Sequence, residues 1–171
     1  MNIILETKRL LIRTFTERDA NLIYELNLDP EVTRYTHDLV KDLAHASEIL
    51  QNVIIPQYAL YHHGRWAVHT KSTLEFLGWC GLKYRHELNE VDLGYRFKKE
   101  SWGKGYATEA AYASIRYGFE KIGLQRIVGR AEIDNIASWK VLEKCGMTYI
   151  GAEEIEGYPH KTYEIWHPSV R

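Results

Sequence analysis

The sequence has few cysteines and almost no net charge, and each of these features excludes a class of protein. Cys80 and Cys145 are the two cysteines among 171 residues. Their spacing matches no metal motif and their neighbours are apolar, so we expect buried free thiols and a cytoplasmic protein rather than a disulfide-rich secreted one. The formal net charge of −1 predicts no nucleic-acid partner and no membrane partner.

Long apolar runs and metal-binding motifs are missing as well. No apolar stretch reaches the roughly 18 residues of a membrane span, and charges interrupt the first segment, MNIILETKRLLIRTF, which resembles no signal peptide. The adjacent His62 and His63 have no HExxH context, so we expect no metal site. No linker or repeat divides the chain, which predicts a single domain over residues 1–171.

The order of the periodic segments predicts an α/β (α+β) fold with a mixed, mostly antiparallel sheet of about six to seven strands and about four helices. A long helical pattern separates the strands Glu90–Phe97 and Arg126–Glu132, so these two should be parallel and joined by a right-handed crossover. The other predicted strands are Arg9–Phe15, Arg65–Thr70, Phe76–Tyr84 and a final pair after Gly146.

Several residues mark where the helices should begin and end. Thr16 and Asp19 resemble a capping box that opens the first helix. A second long helix should begin near Leu43 and stop near Pro56. Gly123 should end the long helix after Phe97, and Asp134 or Asn135 should cap the last helix, with Gly146 just past its end.

Gly103 and Gly105 flank Lys104 in SWGKGYATEA, at the junction between a predicted strand and a helix. Glycine costs roughly 1 kcal/mol in a helix interior, so a pair at the entrance indicates a sharp bend or a close approach to a ligand such as a phosphate. A Walker A motif is excluded because Lys98 stands where its first glycine belongs, and a dinucleotide GxGxxG is excluded by Thr108. A plain tight turn and an anion-binding turn both remain open.

Two longer motifs resemble the GNAT acetyltransferase superfamily: GYRFKKESWGKGYATEA and, one strand downstream, DNIASWKVLEKCGM. With TKRLLIRTFTERDA near the start, the resemblance extends over nearly the whole chain and is strongest to the RimJ/RimL-like ribosomal-protein-alanine N-acetyltransferase branch. It implies a GNAT-type sheet, acetyl-CoA as co-substrate, no metal and an amine acceptor. Two-fold dimers are common in this superfamily, so a homodimer is compatible with the resemblance, although no stretch requires one.

The resemblance also implies which residues contact the coenzyme. Phe97 and Lys98 would lie beside the pantetheine arm, which would hydrogen-bond like a strand where two parallel strands separate. Asn135 and Ser138 match positions next to the cofactor arm, and Lys144 matches one near its phosphate end. Glu100 departs from the family, which has Gln or Arg there. Backbone N–H groups of the turn would hold the pyrophosphate, at Trp102, Gly103, Lys104, Gly105, Tyr106, Ala107 and Thr108.

Acetyl transfer from a thioester requires a neutral amine, a donor for the oxyanion and a proton for the thiolate. A thioester is already activated, so no covalent enzyme intermediate is needed. Deprotonating a lysine amine of pKa about 10.4 at about pH 7.4 costs roughly 4 kcal/mol, whereas an α-amine costs less than about 1 kcal/mol. An α-amine acceptor therefore needs only a weak base.

Asp92 is the candidate base and Ser138 the candidate acid. Asp92 shares a strand face with Glu90 and matches the acidic residue that the family often places before its Gly-Tyr; the alternative is a salt-bridge partner. The tyrosine that many GNAT enzymes use as acid falls on Leu142, so Ser138 is its substitute, unless it is an ordinary helix serine. We reject Cys145 as a nucleophile because it sits on the apolar stripe.

Three functions remain open. The first is N-acetylation of a protein N-terminal α-amine, and the second is N-acetylation of a small-molecule amine such as an aminoglycoside, a polyamine or an amino acid. The third is a non-catalytic acyl-CoA-binding module. Some aromatic residues belong either to an acceptor groove or to the core: Tyr24, Tyr35, Trp79, Tyr158 and Trp166.

Overall fold

Eight strands form one sheet within residues 1–170, the part of the chain that this computed structural model describes. Arg171, the last residue of the predicted domain, lies outside the described residues. The strands are β1 (Ile3–Glu6), β2 (Leu10–Thr14), β3 (Arg65–Thr70), β4 (Phe76–Arg85), β5 (Glu90–Phe97), β6 (Arg126–Glu132), β7 (Thr148–Ile155) and β8 (Tyr158–Trp166). Their order across the sheet is β1-β2-β3-β4-β5-β6-β8-β7, and neighbours are antiparallel except β5 and β6.

Residues 1–170 also form six α-helices. They are α1 (Ala20–Leu26), α2 (Pro30–Thr33), α3 (Leu43–Ile49), α4 (Ile55–Tyr61), α5 (Tyr106–Tyr117) and α6 (Ile136–Lys144). A π-helical turn, Leu50–Ile54, joins α3 to α4, and another, Gly118–Ile122, extends α5. None of the helices described here has the length and hydropathy that crossing a bilayer requires.

Apolar side chains fill both faces of the sheet, because successive residues of a strand point to opposite sides. On β3, Trp66 and Val68 belong to the cluster under α5 and α6, whereas Ala67 belongs to the cluster under α1 and α3. Cys80 and Cys145 are buried free thiols in the first cluster, as predicted. The sheet therefore separates two layers of helices.

The predicted mixed α/β architecture is confirmed, but its strand and helix counts were too low. The strand that sequence reasoning missed is β1, whose four residues are too few to show alternation and whose pairing with β2 is irregular between Ile3 and Leu5. The capping box at Thr16 and Asp19 is present. Gly123 ends the α5 segment as expected.

The predicted helix stop near Pro56 was wrong. The π-helical turn Leu50–Ile54 lets the chain restart a helix at Ile55, which places Pro56 in the first turn of α4. A first-turn N–H has no intrahelical acceptor, so proline costs little there. The helix then continues to Tyr61.

The parallel strands β5 and β6 separate part-way along their length. Their ladder ends at the pair Leu93–Gly129. Beyond this pair β5 continues alongside β4 and β6 alongside β8, so residues 94–97 of β5 and 130–132 of β6 diverge. We call the space between these two segments the β5–β6 gap; it opens toward the chain that leads into α5.

Candidate active site

The predicted glycine turn connects the end of β5 to α5. Gly103 has φ +73° and Gly105 has φ +80°, in the left-handed region where other residues are strained by about 1–2 kcal/mol. The first bond of α5 runs from the Glu109 N–H to the Gly105 carbonyl at 3.0 Å. The N–H groups of residues 106–108 precede that bond and have no intrahelical acceptor, so they present donors at the positive end of the helix dipole.

Space for a ligand lies directly in front of the turn. A Cβ atom on Gly103 would have no heavy atom within 4 Å, whereas one on Gly105 would lie 3.3 Å from Arg9 Nη2. The side chains of Lys104 and Trp102 are exposed beside this space. Open space beside free N–H donors suits an anion such as a pyrophosphate.

Arg9, which sequence reasoning missed, is bonded to the turn. Its Nη1 donates to the Lys104 carbonyl at 2.8 Å and its Nε to Glu109 at 2.9 Å, and the Thr7 hydroxyl also donates to Glu109 at 2.6 Å. Partial burial raises the pKa of Glu109, but the bonds from Thr7 and Arg9 outweigh it and hold that pKa below its usual value. The negative charge of Glu109 is therefore compensated by Arg9 and does not stand unpaired beside an anion at the turn.

The remaining residues of the β5 end are fixed to protein groups. Phe97 is buried in the core, and its carbonyl accepts a bond from the Trp102 indole N–H at 2.9 Å. The Lys98 N–H donates to the Leu77 carbonyl at 2.8 Å on the β4 side, and its ammonium lies 5.5 Å from the ring centre of Phe76. These contacts set the angle at which the chain leaves the gap.

Helix α6 lies beside the start of α5. Asn135 is its N-cap but makes no side-chain cap bond, so its amide is left for other partners. Cys145 Sγ lies 3.8 Å from the carbonyl of Thr108, which joins the end of α6 to the first turn of α5. Lys144 is exposed in the last turn of α6. The predicted coenzyme residues thus come from two adjoining helices and the turn before one of them.

Ser138 in α6 is bonded to Tyr95, a gap residue of β5. The Tyr95 hydroxyl donates to the Ser138 carbonyl at 2.6 Å, and Ser138 Oγ donates to the Tyr95 oxygen at 3.2 Å. Burial raises the pKa of Tyr95, so its hydroxyl stays protonated. Sequence reasoning missed Tyr95, although it belongs to the GYRF motif; its partner is 43 residues away.

Asp92 points to the opposite face of the sheet, and two guanidinium groups hold it. Arg65 Nη2 lies 2.7 Å from one oxygen and Arg85 Nε 2.5 Å from the other, and the Asp92 side chain is 10% exposed. Burial raises the pKa of Asp92, but Arg65 and Arg85 outweigh it and lower that pKa. Of the two interpretations of Asp92, this geometry favours the salt-bridge partner, because a carboxylate so paired is a poor proton acceptor.

The same face of the sheet carries further charged groups. The guanidinium groups of Arg65 and Arg96 lie 5.1 and 5.4 Å from the ring centre of Trp79. Arg96 also bonds Asp38 at 2.8 Å. Trp79 is therefore one of the predicted groove aromatics that does lie on this face, whereas Trp166 packs against Arg126 at the other end of β6.

A segment between α2 and α3, residues 34–42, spans the two sides of the gap. Its Asp38 bonds Arg96 of β5, and its His37 Nε2–H donates to Glu132 of β6 at 2.8 Å. His37 also stacks on Tyr158, with ring centres 3.7 Å apart. Sequence reasoning missed this arrangement, since His37 and Glu132 are 95 residues apart and neither sits in a recognisable motif.

Comparison with known proteins identifies the family. The family described as Acetyltransferase (GNAT) domain matches residues 9–148. This chain belongs to the GNAT acetyltransferase family. It is 34% identical over 150 residues to the uncharacterized N-acetyltransferase YoaA of Bacillus subtilis, covering 84% of this chain and 81% of that protein. It is 33% identical over 141 residues to the uncharacterized N-acetyltransferase p20 of Bacillus licheniformis, covering 81% and 78%.

Solved structures of GNAT proteins have the same fold. An acetyltransferase of the GNAT family from Bacillus anthracis matches with a TM-score of 0.82 and 25% identity over 97% of this chain and 98% of that one. RimL, a ribosomal L7/L12 α-N-protein acetyltransferase solved with coenzyme A, matches with a TM-score of 0.81 and 18% identity over 96% and 98%. The GNAT chain described here is an acetyl-CoA-dependent N-acetyltransferase, with acetyl-CoA as co-substrate.

Proposed function

We propose that this GNAT enzyme transfers acetyl from acetyl-CoA to the α-amine of a protein N-terminus, by direct attack in a ternary complex, as in the RimJ/RimL-like branch. The observation that carries the transferase assignment is the β5–β6 gap, which leads straight to the glycine turn. A linear amide-containing arm fits between two strand edges, and a pyrophosphate fits the free N–H groups beyond them.

The coenzyme would lie along the gap with its pyrophosphate on the N–H groups of residues 106–108. Gly103, whose Cβ position faces open space, leaves the backbone of the turn accessible to the phosphates. The free amide of Asn135 would bond the pantetheine arm, and Lys144 would approach the phosphate end. Phe97 and Lys98 would border the arm where it leaves the sheet.

Ser138 would act on the leaving sulfur. The neutral amine attacks the thioester carbonyl carbon, the C–N bond forms, and the C–S bond breaks as the intermediate collapses. The Ser138 hydroxyl turns from the Tyr95 oxygen to the sulfur, passes its proton there and takes the proton that the nitrogen must lose, so serine stays neutral. Tyr95 would keep Ser138 in place through its bond to the serine carbonyl and would accept the hydroxyl bond again after turnover. We propose that Asp92 positions Arg65 and is not the base.

We place the acceptor on the face of the sheet that carries Asp92 and Trp79, which we call the acceptor face, and its charges favour a peptide over a polycation. Arg65, Arg85 and Arg96 line this face around Trp79 and Asp92. A polyamine or an aminoglycoside requires several unpaired carboxylates, whereas Asp92 is paired with Arg65 and Arg85, and Asp38 with Arg96. Guanidinium donors instead suit the carbonyl oxygens of a peptide backbone that follows a single terminal amine.

Calorimetric titration with acetyl-CoA, with ATP as the control, tests the coenzyme site. We expect micromolar binding of acetyl-CoA and none of ATP. Release of free thiol is then measured with peptides that have a free N-terminus, with the same peptides blocked at the N-terminus, and with spermidine. Turnover confined to free peptides supports the proposal; turnover confined to spermidine assigns a small-amine acceptor. Binding without turnover of any amine would leave the non-catalytic module.

A further inference from the structure

Glu132 is a buried carboxylate at the acceptor side of the β5–β6 gap. It is the last residue of β6, and its side chain is 9% exposed. Alternation along β6 places it on the face shared by Arg126 and Arg130, away from Ile127 and Ala131, which pack under α5 and α6. The carboxylate thus lies where an acceptor would meet a thioester reaching through the gap.

Glu132 differs from its neighbours in having no permanent cationic partner. Among the ion pairs found within residues 1–170, Asp92 and Glu90 are each bonded to two arginines, whereas Glu132 is paired with His37 and with no lysine or arginine. A buried carboxylate without a cation is costly, and an incoming ammonium would compensate it. Arg130, two residues before Glu132 on β6, is already bonded to Glu90 and Glu153.

His37 is held beside Glu132 in a strained conformation. Its φ is +57°, a left-handed value that costs a residue other than glycine on the order of 1 kcal/mol or more. Stacking on Tyr158 and the bond to Glu132 maintain it, and the next residue, Asp38, is bonded to Arg96 on the opposite side of the gap. Strain maintained by contacts from three elements points to a role for this imidazole in the site.

We infer that Glu132 and His37 receive the acceptor amine. The Glu132 carboxylate binds the protonated amine as an ion pair, and the carboxylate–imidazole pair takes one proton from it, which leaves the neutral amine to attack. That proton returns to solvent through His37 after turnover. The second proton of the nitrogen leaves as the intermediate collapses and travels through Ser138 to the sulfur. This assignment rests on the proposed acetyltransferase function.

The test compares Glu132→Gln with wild type for two nucleophiles. One is the best amine found among free-N-terminus peptides, lysine and spermidine; the other is hydroxylamine, which is uncharged at neutral pH and needs neither ion pairing nor prior deprotonation. We expect kcat/KM for the amine to fall on the order of 10²-fold in Glu132→Gln, while hydroxylamine turnover and the calorimetric Kd for acetyl-CoA stay within about twofold of wild type. His37→Gln should show the same selective loss.

Glu90→Gln is the matched control. Glu90 is similarly buried, at 11% side-chain exposure, but it is the first residue of β5, at the end of the strand that lies away from the β5–β6 gap. This variant should leave the ratio of amine to hydroxylamine turnover unchanged. If Glu132→Gln does not fold, the ratio of amine to hydroxylamine turnover is measured in Glu132→Asp and His37→Gln instead. It should fall in both. An unchanged ratio in the folded variants, equal losses for both nucleophiles, or a wild type that acetylates hydroxylamine but none of the amines would overturn the inference. A wild type that binds no acetyl-CoA would instead refute the coenzyme site.

Discussion

Tyr95 and Ser138 are joined by two hydrogen bonds between β5 and α6, one to the serine carbonyl at 2.6 Å and one from the serine hydroxyl at 3.2 Å. The pair spans the space beside the β5–β6 gap, where the thioester is proposed to lie. A serine hydroxyl rotates freely unless a partner fixes it. Tyr95 supplies that partner and stays protonated, because burial raises its pKa.

Replacing Tyr95 by Phe removes both bonds and keeps the ring. We expect kcat to fall on the order of tenfold with little change in acetyl-CoA affinity, because the proton path through Ser138 is loosened. Steady-state kinetics and calorimetry measure the two effects. Ser138→Ala should cost a similar factor, and the double variant should cost less than the product of the two. Wild-type kcat in Tyr95→Phe would remove the pair from the mechanism.

Replacing Gly103 by Ala should weaken acetyl-CoA binding about tenfold, or about 1.4 kcal/mol. The new Cβ would occupy the open space in front of the turn and would strain the left-handed backbone. Gly123→Ala is the matched control: its φ is +82°, its Cβ also meets open space, and it lies past the far end of α5. Both variants should lose about 1–2 kcal/mol of stability, but only Gly103→Ala should lose affinity. Equal affinities would contradict a pyrophosphate site at the glycine turn.

Replacing Asp92 by Asn should destabilise the protein by about 3 kcal/mol, because Arg65 and Arg85 would keep their charges without a carboxylate. The pKa of Asp92 is lowered in the folded state, so its contribution is present above the unfolded pKa of about 3.9 and is lost as pH falls through the folded value. Urea unfolding from neutral to acid pH measures this. A stable variant whose turnover falls mainly at low pH would restore Asp92 as the base.

Replacing Cys145 by Ala should leave turnover unchanged. Burial raises the pKa of Cys145 to about 11, and burial likewise raises the pKa of Cys80 to about 12, so both thiols stay protonated and unreactive at neutral pH. Iodoacetamide labelling of the folded protein should be slow and should become fast in urea. Rapid labelling that abolishes turnover would show that Cys145 is reached from the site.

The parts of the protein that sequence predicted are those whose cause is local. The glycine turn, the α5 stripe and the start of α6 after Asn135 each depend on residues within one element. The sequence did not reveal β1, because four residues are too few to show a period. It also did not predict that the helix continues past Pro56, because the π-helical turn before α4 has no sequence signature. Neither event leaves a pattern in the neighbouring residues.

The parts that sequence missed depend on distant partners. Sequence left two roles open for Asp92, a base or a salt-bridge partner, and the choice depends on Arg65, which is 27 residues away. Arg9 reaches Lys104 across 95 residues, and His37 reaches Glu132 across the same separation. Sequence supplied the chemistry of each side chain, whereas the fold decided which of them are neutralised and which remain available.

The early end of the β5–β6 ladder gives the sheet two hydrogen-bonded halves, β1–β5 and β6–β8, which meet along a short seam near Leu93 and Gly129. The pantetheine arm of acetyl-CoA, bound in the gap, would hydrogen-bond to both halves beyond the point where the β5–β6 ladder ends. Its arrival should slow amide hydrogen exchange in both halves, and its departure should release them again. The enzyme would then complete and reopen its own architecture once in every catalytic cycle.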